Sequence, residues 1–459
     1  MRKKHFGTVF VAAILALLMV VVTACGSGNK ESSSSPADST QSASPSAPEA
    51  SPSASPSASL EKIKIKGIGH ASWFKSGMDE VLIAAAEKTG IELELEKIPE
   101  GMDGVNLVKA RFATGDKPDL LFYYAGLGDQ QGFGKMSDTF VSQEDQPWIT
   151  NFDKNSWKGI MTALEDGKYY GAPYGGSNTS VVLYNKKVFA SLGLEVPTTM
   201  DEFWSVSEAL KKGGKIPVYL SGKDAWTLQL PVQHAQATPS TAEVLAKVDV
   251  NQAKFTDWTA RKTGLQFLKD VTSKGLTNKD VLSDTYDNAQ KALATGEAGM
   301  YVMATWVMTD IASKFPDQTA DIGAFLMPYQ GADADKSYIF APNAVFVVKG
   351  KNEEAAQKFV NFFESLEAQN IFFGKDGGIP AIKGVTVTSL TPAELEAKAL
   401  LDAGKASGDG YVMKYDINAA FPAYLQDIII GGKTPEQVLE AQQKDYEKAA
   451  KAKDDPNFK

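Results

Sequence analysis

Between Lys62 and Tyr123 the apolar residues switch period from one short segment to the next, and this alternation limits the fold most. Lys62-Ile63-Lys64-Ile65-Lys66-Gly67-Ile68 alternates charged and apolar, as a strand with one solvated face does. Met78, Val81, Leu82 and Ala85 then recur at helical spacing, with Asp79 and Glu80 in the first turn and Gly90 after the end. Ile91, Leu93 and Leu95 alternate again. A second helical stretch runs from about Asp103 to Thr114 and stops at Gly115. Asp119-Leu120-Leu121-Phe122-Tyr123 reads as a buried strand. Strand, helix, strand, helix, strand in that order implies a parallel sheet with right-handed crossovers. Ligands of such sheets sit beyond the carboxyl ends of the strands, which puts His70–Phe74 and Tyr123–Leu127 at a binding edge.

The pattern restarts after Tyr174. Val181–Tyr184 is an expected strand, Thr199-Met200-Asp201-Glu202 a capping box for a helix ending at Gly213-Gly214, and Ile216–Leu220 the next strand. Helices are expected over Trp258–Ser273 and Tyr286–Thr295, and strands over Ala298–Met303, Asp321–Phe325 and Ala344–Val348. Trp306 falls in the first turn of a further helix, the C-terminus is helical, and its last long helix opens at Thr434-Pro435-Glu436-Gln437. No fixed-period repeat suggests a solenoid. The folded part, roughly 400 residues, exceeds what one core usually supports, so two α/β lobes are expected.

The first sixty residues have another character. Arg2-Lys3-Lys4 precedes an apolar run from Val9 to Val22, and the run ends at Val22-Thr23-Ala24-Cys25. That is the layout of a secretory signal peptide (1–24), too short and too little flanked by charge for a permanent span. Its terminal cysteine, the single one in the chain, resembles the lipidation site of bacterial lipoproteins. Residues 25–60 are mostly Ser, Pro and Ala, which bury too little apolar surface to order, so they read as a tether. Two acyl chains would anchor it firmly. The whole chain carries a formal charge of −9, and removing the leader's three positive charges leaves −12. Clustered Lys and Arg are lacking, which argues against nucleic acid as a partner.

The residues suited to catalysis are few. After cleavage only His70 and His234 remain, and Cys25 is committed to lipid, so a Cys/His zinc site cannot be assembled. No Gly-x-Ser-x-Gly elbow occurs. Gly431-Gly432-Lys433-Thr434 imitates the end of a phosphate loop, but Asp427 stands at the leading glycine, so Gly432 reads as a turn and Thr434 as a helix cap. Asp153 and Asn155 hint at a cation loop without the Gly and Glu that would complete it. Nothing singles out a carboxylate pair for glycoside hydrolysis. No enzyme activity and no cofactor is expected.

Aromatic placement says more. Sugar rings stack their C–H faces on Trp and Tyr, while their hydroxyls need fixed donors and acceptors. Trp204 and Trp258 lie inside amphipathic helices and are expected in the core. Trp148 and Trp157 are candidates for surface cover. Trp73, Trp226 and Trp306 follow strands or open a helix, which are cleft positions, with a core role as the alternative for each. Tyr124 and Tyr174 are weighed between lining the cleft and the core.

Several segments in order resemble the extracellular solute-binding proteins of carbohydrate ABC importers, the maltose-binding-like group. They are Arg111–Asp119, Tyr170–Tyr174, Leu183–Phe189 followed by Leu192-Gly193-Leu194 and Pro197–Phe203, Thr295–Met300 with Trp306, and Gly377-Gly378-Ile379-Pro380. A tryptophan frequent in the family where Met200 stands is missing. The resemblance implies the two-lobed type II binding-protein fold, with a ligand cleft between lobes that close by hinge bending. It places 61–172 plus 307–348 in the first lobe and 173–306 plus 349–459 in the second. It implies stacking by Trp306, Trp226, Trp73 and Tyr124, with Tyr174 and Asn178 after the crossing and Asp119 or Asp376 accepting sugar hydroxyls. For the polar members a cap or turn role is the alternative. The expected function is a monomeric, lipid-anchored subunit on the outer side of the membrane that delivers a mono- or oligosaccharide to permease subunits. A sensing or adhesion role for the same cleft, or an anchored glycosidase, are the alternatives.

Overall fold

The computed structural model describes residues 62–459 except 100, 153, 158–159, 164, 330–335, 409–410 and 416–419. The expected leader, Cys25 and the tether lie outside the described residues, as do Asp153 and the side chain of Asn155. Among the described residues no helix is long and apolar enough to cross a membrane, and no group of three His, Cys, Asp or Glu is placed to hold a metal.

Eleven strands are described: β1 (Ile63–His70), β2 (Ile91–Ile98), β3 (Leu120–Tyr124), β4 (Gly171–Tyr174), β5 (Asn178–Asn185), β6 (Ile216–Val218), β7 (Ala298–Ala304), β8 (Ile322–Phe325), β9 (Ser337–Phe340), β10 (Asn343–Val347) and β11 (Ala406–Ser407). They form two sheets, one in the order β2-β1-β3-β10-β4, the other β11-β9-β5-β7-β6 with β8 also paired to β5. β1 is parallel to β2 and β3, as the alternation in sequence requires. Ile65 and Ile68 are buried, and the lysines of the alternating face meet acids on β2, Lys62 with Glu92 at 2.7 Å and Lys64 with Glu94 at 3.5 Å. Such exposed pairs contribute little stability; they mark which face is solvated. The helices Ser76–Thr89 and Gly101–Thr114 make the two crossovers.

The second lobe obeys its capping signals. Glu202 N donates to Thr199 Oγ1 at 3.2 Å and Thr199 N to Glu202 Oε2 at 3.2 Å, closing the box that opens Met200–Lys212. Thr434 and Gln437 do the same for Pro435–Ala452, so the phosphate-loop look-alike is a turn and a cap. Trp258 is buried there as expected, and Trp204, half-buried, stacks on Phe267 with ring centroids 5.7 Å apart.

Two features of the expected partition need correction. Residues 307–329 and 336–340 belong with the second sheet: β8 and β9 run antiparallel to β5, and Val307, Met308 and Ile311 are buried with Leu293 and Tyr301. The chain returns to the first sheet only at β10. Conversely, the helices Glu353–Phe363 and Leu366–Asp376 pack on the first lobe, where Phe359, Phe363, Phe372 and Phe373 join its core. Apolar faces on two helices could cover either sheet, so their sequence did not choose. Trp148 and Trp157 are no surface cover; both are buried in the first core, flanking Phe152 at 5.9 and 6.3 Å.

Candidate functional site

Three passages join the lobes: β4 to β5, β9 to β10, and the stretch from Asp376 toward the helix Pro392–Asp402. The first and third touch. Ser177 N donates to Ile379 O at 2.7 Å, and Gly176 bridges Pro380. A side chain at Gly176 would place its Cβ 2.7 Å from the Ile379 carbonyl, so only glycine lets these strands approach. Gly378, at φ +94°, occupies backbone space that other residues rarely adopt.

The first-lobe wall of the cleft grows from the carboxyl ends of β1 and β3, the edge expected from the parallel sheet. His70 ends β1, and its Nδ1 lies 2.7 Å from Pro99 O. Trp73 follows, half-buried, 4.9 Å from the His70 ring and edge-on to Tyr124 at 5.1 Å. Tyr174 lies behind this pair. It is 3% exposed, belongs to the core, and donates from its hydroxyl to Trp73 O at 2.7 Å. Burial first, then the charge of Asp376, pushes its pKa well above that of a free tyrosine, so it stays a neutral donor. Tyr174 therefore supports Trp73 and does not line the cleft.

The second-lobe wall is built around the start of the helix Val307–Lys314. Trp306 caps that helix and is half-buried, edge-on to Phe340 at 4.9 Å and 6.5 Å from Trp226. Trp226 is 40% exposed, unusual for so large an aromatic, and lies 5.1 Å from Tyr286. Tyr286 donates from its hydroxyl to Asp310 Oδ2 at 2.8 Å, and burial and Asp310 raise its pKa well above the ordinary value. Lys75, two residues beyond Trp73, reaches across to Thr309 Oγ1 and Asp310 Oδ1, each at 2.9 Å. That contact ties the turn after Trp73 to the helix that Trp306 opens.

The polar candidates fare differently. Asn178 is spent on structure: its Nδ2 donates to Gly176 O at 2.9 Å and its Oδ1 accepts from Thr305 Oγ1 at 3.0 Å. Asp119 precedes β3, at the amino end of the strand and so at the opposite edge from Tyr124. Its carboxylate accepts from Lys66 N at 2.8 Å and Asn352 Nδ2 at 3.1 Å. The resemblance had set it against the ligand, but a parallel strand presents only its carboxyl end to the cleft. Asp376 Oδ1 caps the helix Ser76–Thr89, accepting from Gly77 N at 2.9 Å and Ser76 Oγ at 3.2 Å, while Oδ2 has no partner among the described residues. Burial raises its pKa against those two bonds. Tyr286, Phe340, Lys75, Thr309 and Asp310 were not anticipated. Each sits within four residues of an element boundary or of a flagged tryptophan, a signal too common to single them out.

The description "bacterial extracellular solute-binding protein" fits residues 71–370 of the chain. A multiple sugar-binding protein of Streptococcus mutans is 26% identical over 67% of this chain and 72% of its own length. A maltooligosaccharide ABC transporter solute-binding lipoprotein of Streptococcus pneumoniae is 22% identical over 83% of this chain and 82% of its own. Among solved structures, a chitin oligosaccharide binding protein superposes with a TM-score of 0.72 at 23% identity, covering 84% of this chain and 99% of that one. The solute-binding protein RafE in complex with raffinose gives 0.71 at 20% identity, with 84% and 99% covered. The chain's two α/β lobes have the type II fold of these structures, and the chain belongs to the bacterial extracellular solute-binding protein family.

Proposed function

We propose that this protein captures a sugar or oligosaccharide between its lobes and hands it to the permease of an ABC importer. What supports the reading is an aromatic cluster on each lobe, Trp73 with Tyr124 on the first and Trp226 with Tyr286 and Trp306 on the second, joined by the contact of Lys75 with Asp310. Rings set on both sides of a cleft suit the apolar faces of a sugar, and lobe closure brings both walls onto it at once. Relatives named for multiple sugars and maltooligosaccharides support the same class of ligand. A thermal-shift screen against mono- and oligosaccharides tests it. A ligand at 100 times its Kd adds about 2.7 kcal/mol of stability. Stabilisation by one sugar series without turnover is the expected result; a flat response across the panel overturns the sugar reading.

The anchoring proposal rests on Cys25 and the Ser/Pro/Ala stretch after it. Labelled fatty acid should enter the wild type and not Cys25→Ser, and a labelled Cys25→Ser protein would reject the anchor.

A further inference from the structure

Of the ion pairs among the described residues, Lys75–Asp310 alone joins the two lobes. Lys75 lies in the turn between Trp73 and the helix Ser76–Thr89 of the first lobe. Its partners lie on Val307–Lys314 of the second. Both partners are themselves tied to the second aromatic wall. Thr309 Oγ1 donates to Trp306 O at 2.9 Å, and Asp310 Oδ2 accepts from Tyr286. The ammonium thus touches two groups, each bonded to an aromatic residue of the opposite wall. The hinge is close: a Cβ at Gly378 would lie 3.8 Å from Thr309 Cγ2.

The geometry points to Lys75 as a positioning residue, an interlobe latch that favours closure before any ligand arrives and aligns the two walls. A contact made only when the lobes approach adds free energy to the closed state alone. Apparent affinity scales with the fraction of molecules already competent to bind. The pair is partly exposed, with side-chain exposures of 36% and 26%, so the latch is weak enough to release. A direct ligand contact would change the preference among sugars. A latch acts on the lobes, so its loss lowers the affinity of every ligand by a common factor, about two- to fivefold. The affinity part of this inference rests on the sugar reading; the lobe part does not.

The test uses the full chain bearing Cys25→Ser, which also removes the single cysteine, with Asp103→Cys and Lys223→Cys as exposed spin-label sites on opposite lobes. Distances between the labels are measured by double electron–electron resonance without ligand. Lys75→Met and Asp310→Asn should each shift the distribution to longer distances, and the double variant should shift it no further. Distributions in both single variants that match the parent overturn the latch, whatever sugars bind. Shifted distances in a protein that binds no sugar leave the latch standing and remove the ligand class. Where sugars bind, affinity losses that differ between sugars would make Lys75 a ligand contact and also overturn the proposal.

Discussion

Trp306→Ala should weaken ligand binding by about 1–3 kcal/mol, roughly five- to 150-fold, while the protein stays folded. The ring is half-buried at the helix start and packs edge-on to Phe340, so it presents a fixed face at low entropic cost. The helix it caps is held by Val307, Met308 and Ile311, all fully buried, and does not depend on the indole. Calorimetric titration of the folded variant, with its circular dichroism unchanged, measures the effect. An affinity equal to wild type in a folded variant would remove Trp306 from the site.

Glu364→Gln should stabilise the protein by about 1–3 kcal/mol at pH 7.5 and by almost nothing at pH 4. Glu364 closes the helix Glu353–Phe363, is 1% exposed, and neither carboxyl oxygen has a partner among the described residues. Burial alone drives its pKa well above the usual carboxylate value. A raised folded pKa means the native state holds the proton more tightly than the unfolded chain. Glu364 therefore favours the native state most below the unfolded pKa, where both states keep the proton, and least above the folded pKa; between the two, stability falls by about 1.4 kcal/mol per pH unit. Glutamine is neutral throughout and removes that slope. Urea midpoints of both proteins across pH 4–8 check it; parallel curves would show that Glu364 finds a partner or water in solution.

Much of the fold was legible because local signals agreed with the tertiary need. The alternation in Lys62–Ile68, the boxes at Thr199 and Thr434 and the buried run Leu120–Tyr123 each predicted their element within a few residues. The misplaced segments failed for a common reason. An apolar helix face such as that of Phe359 and Phe363 states that it will be buried and not against which sheet. The same holds for Trp148 and Trp157, whose loop setting hid full burial. Trp73 pairs with Tyr124 and Trp226 with Trp306 because strand ends and helix starts are where an α/β sheet exposes side chains. Asn178 and Tyr174, beside a crossing, and Asp119, at a strand start, bond the backbone, which such polar residues serve as readily as a ligand. Lys75 and Asp310 are ordinary charges in sequence, and only the packing of two distant helices makes them a pair.

The central claim is that aromatic side chains from both lobes hold a sugar in the cleft. A crystal structure of residues 61–459 with the best ligand of the sugar panel tests it most directly. A sugar ring stacked on Trp306 or Trp226 on one side and facing Trp73 or Tyr124 on the other is the predicted result. A ligand bound outside the cleft, or held there without contact to any of these four rings, would contradict it.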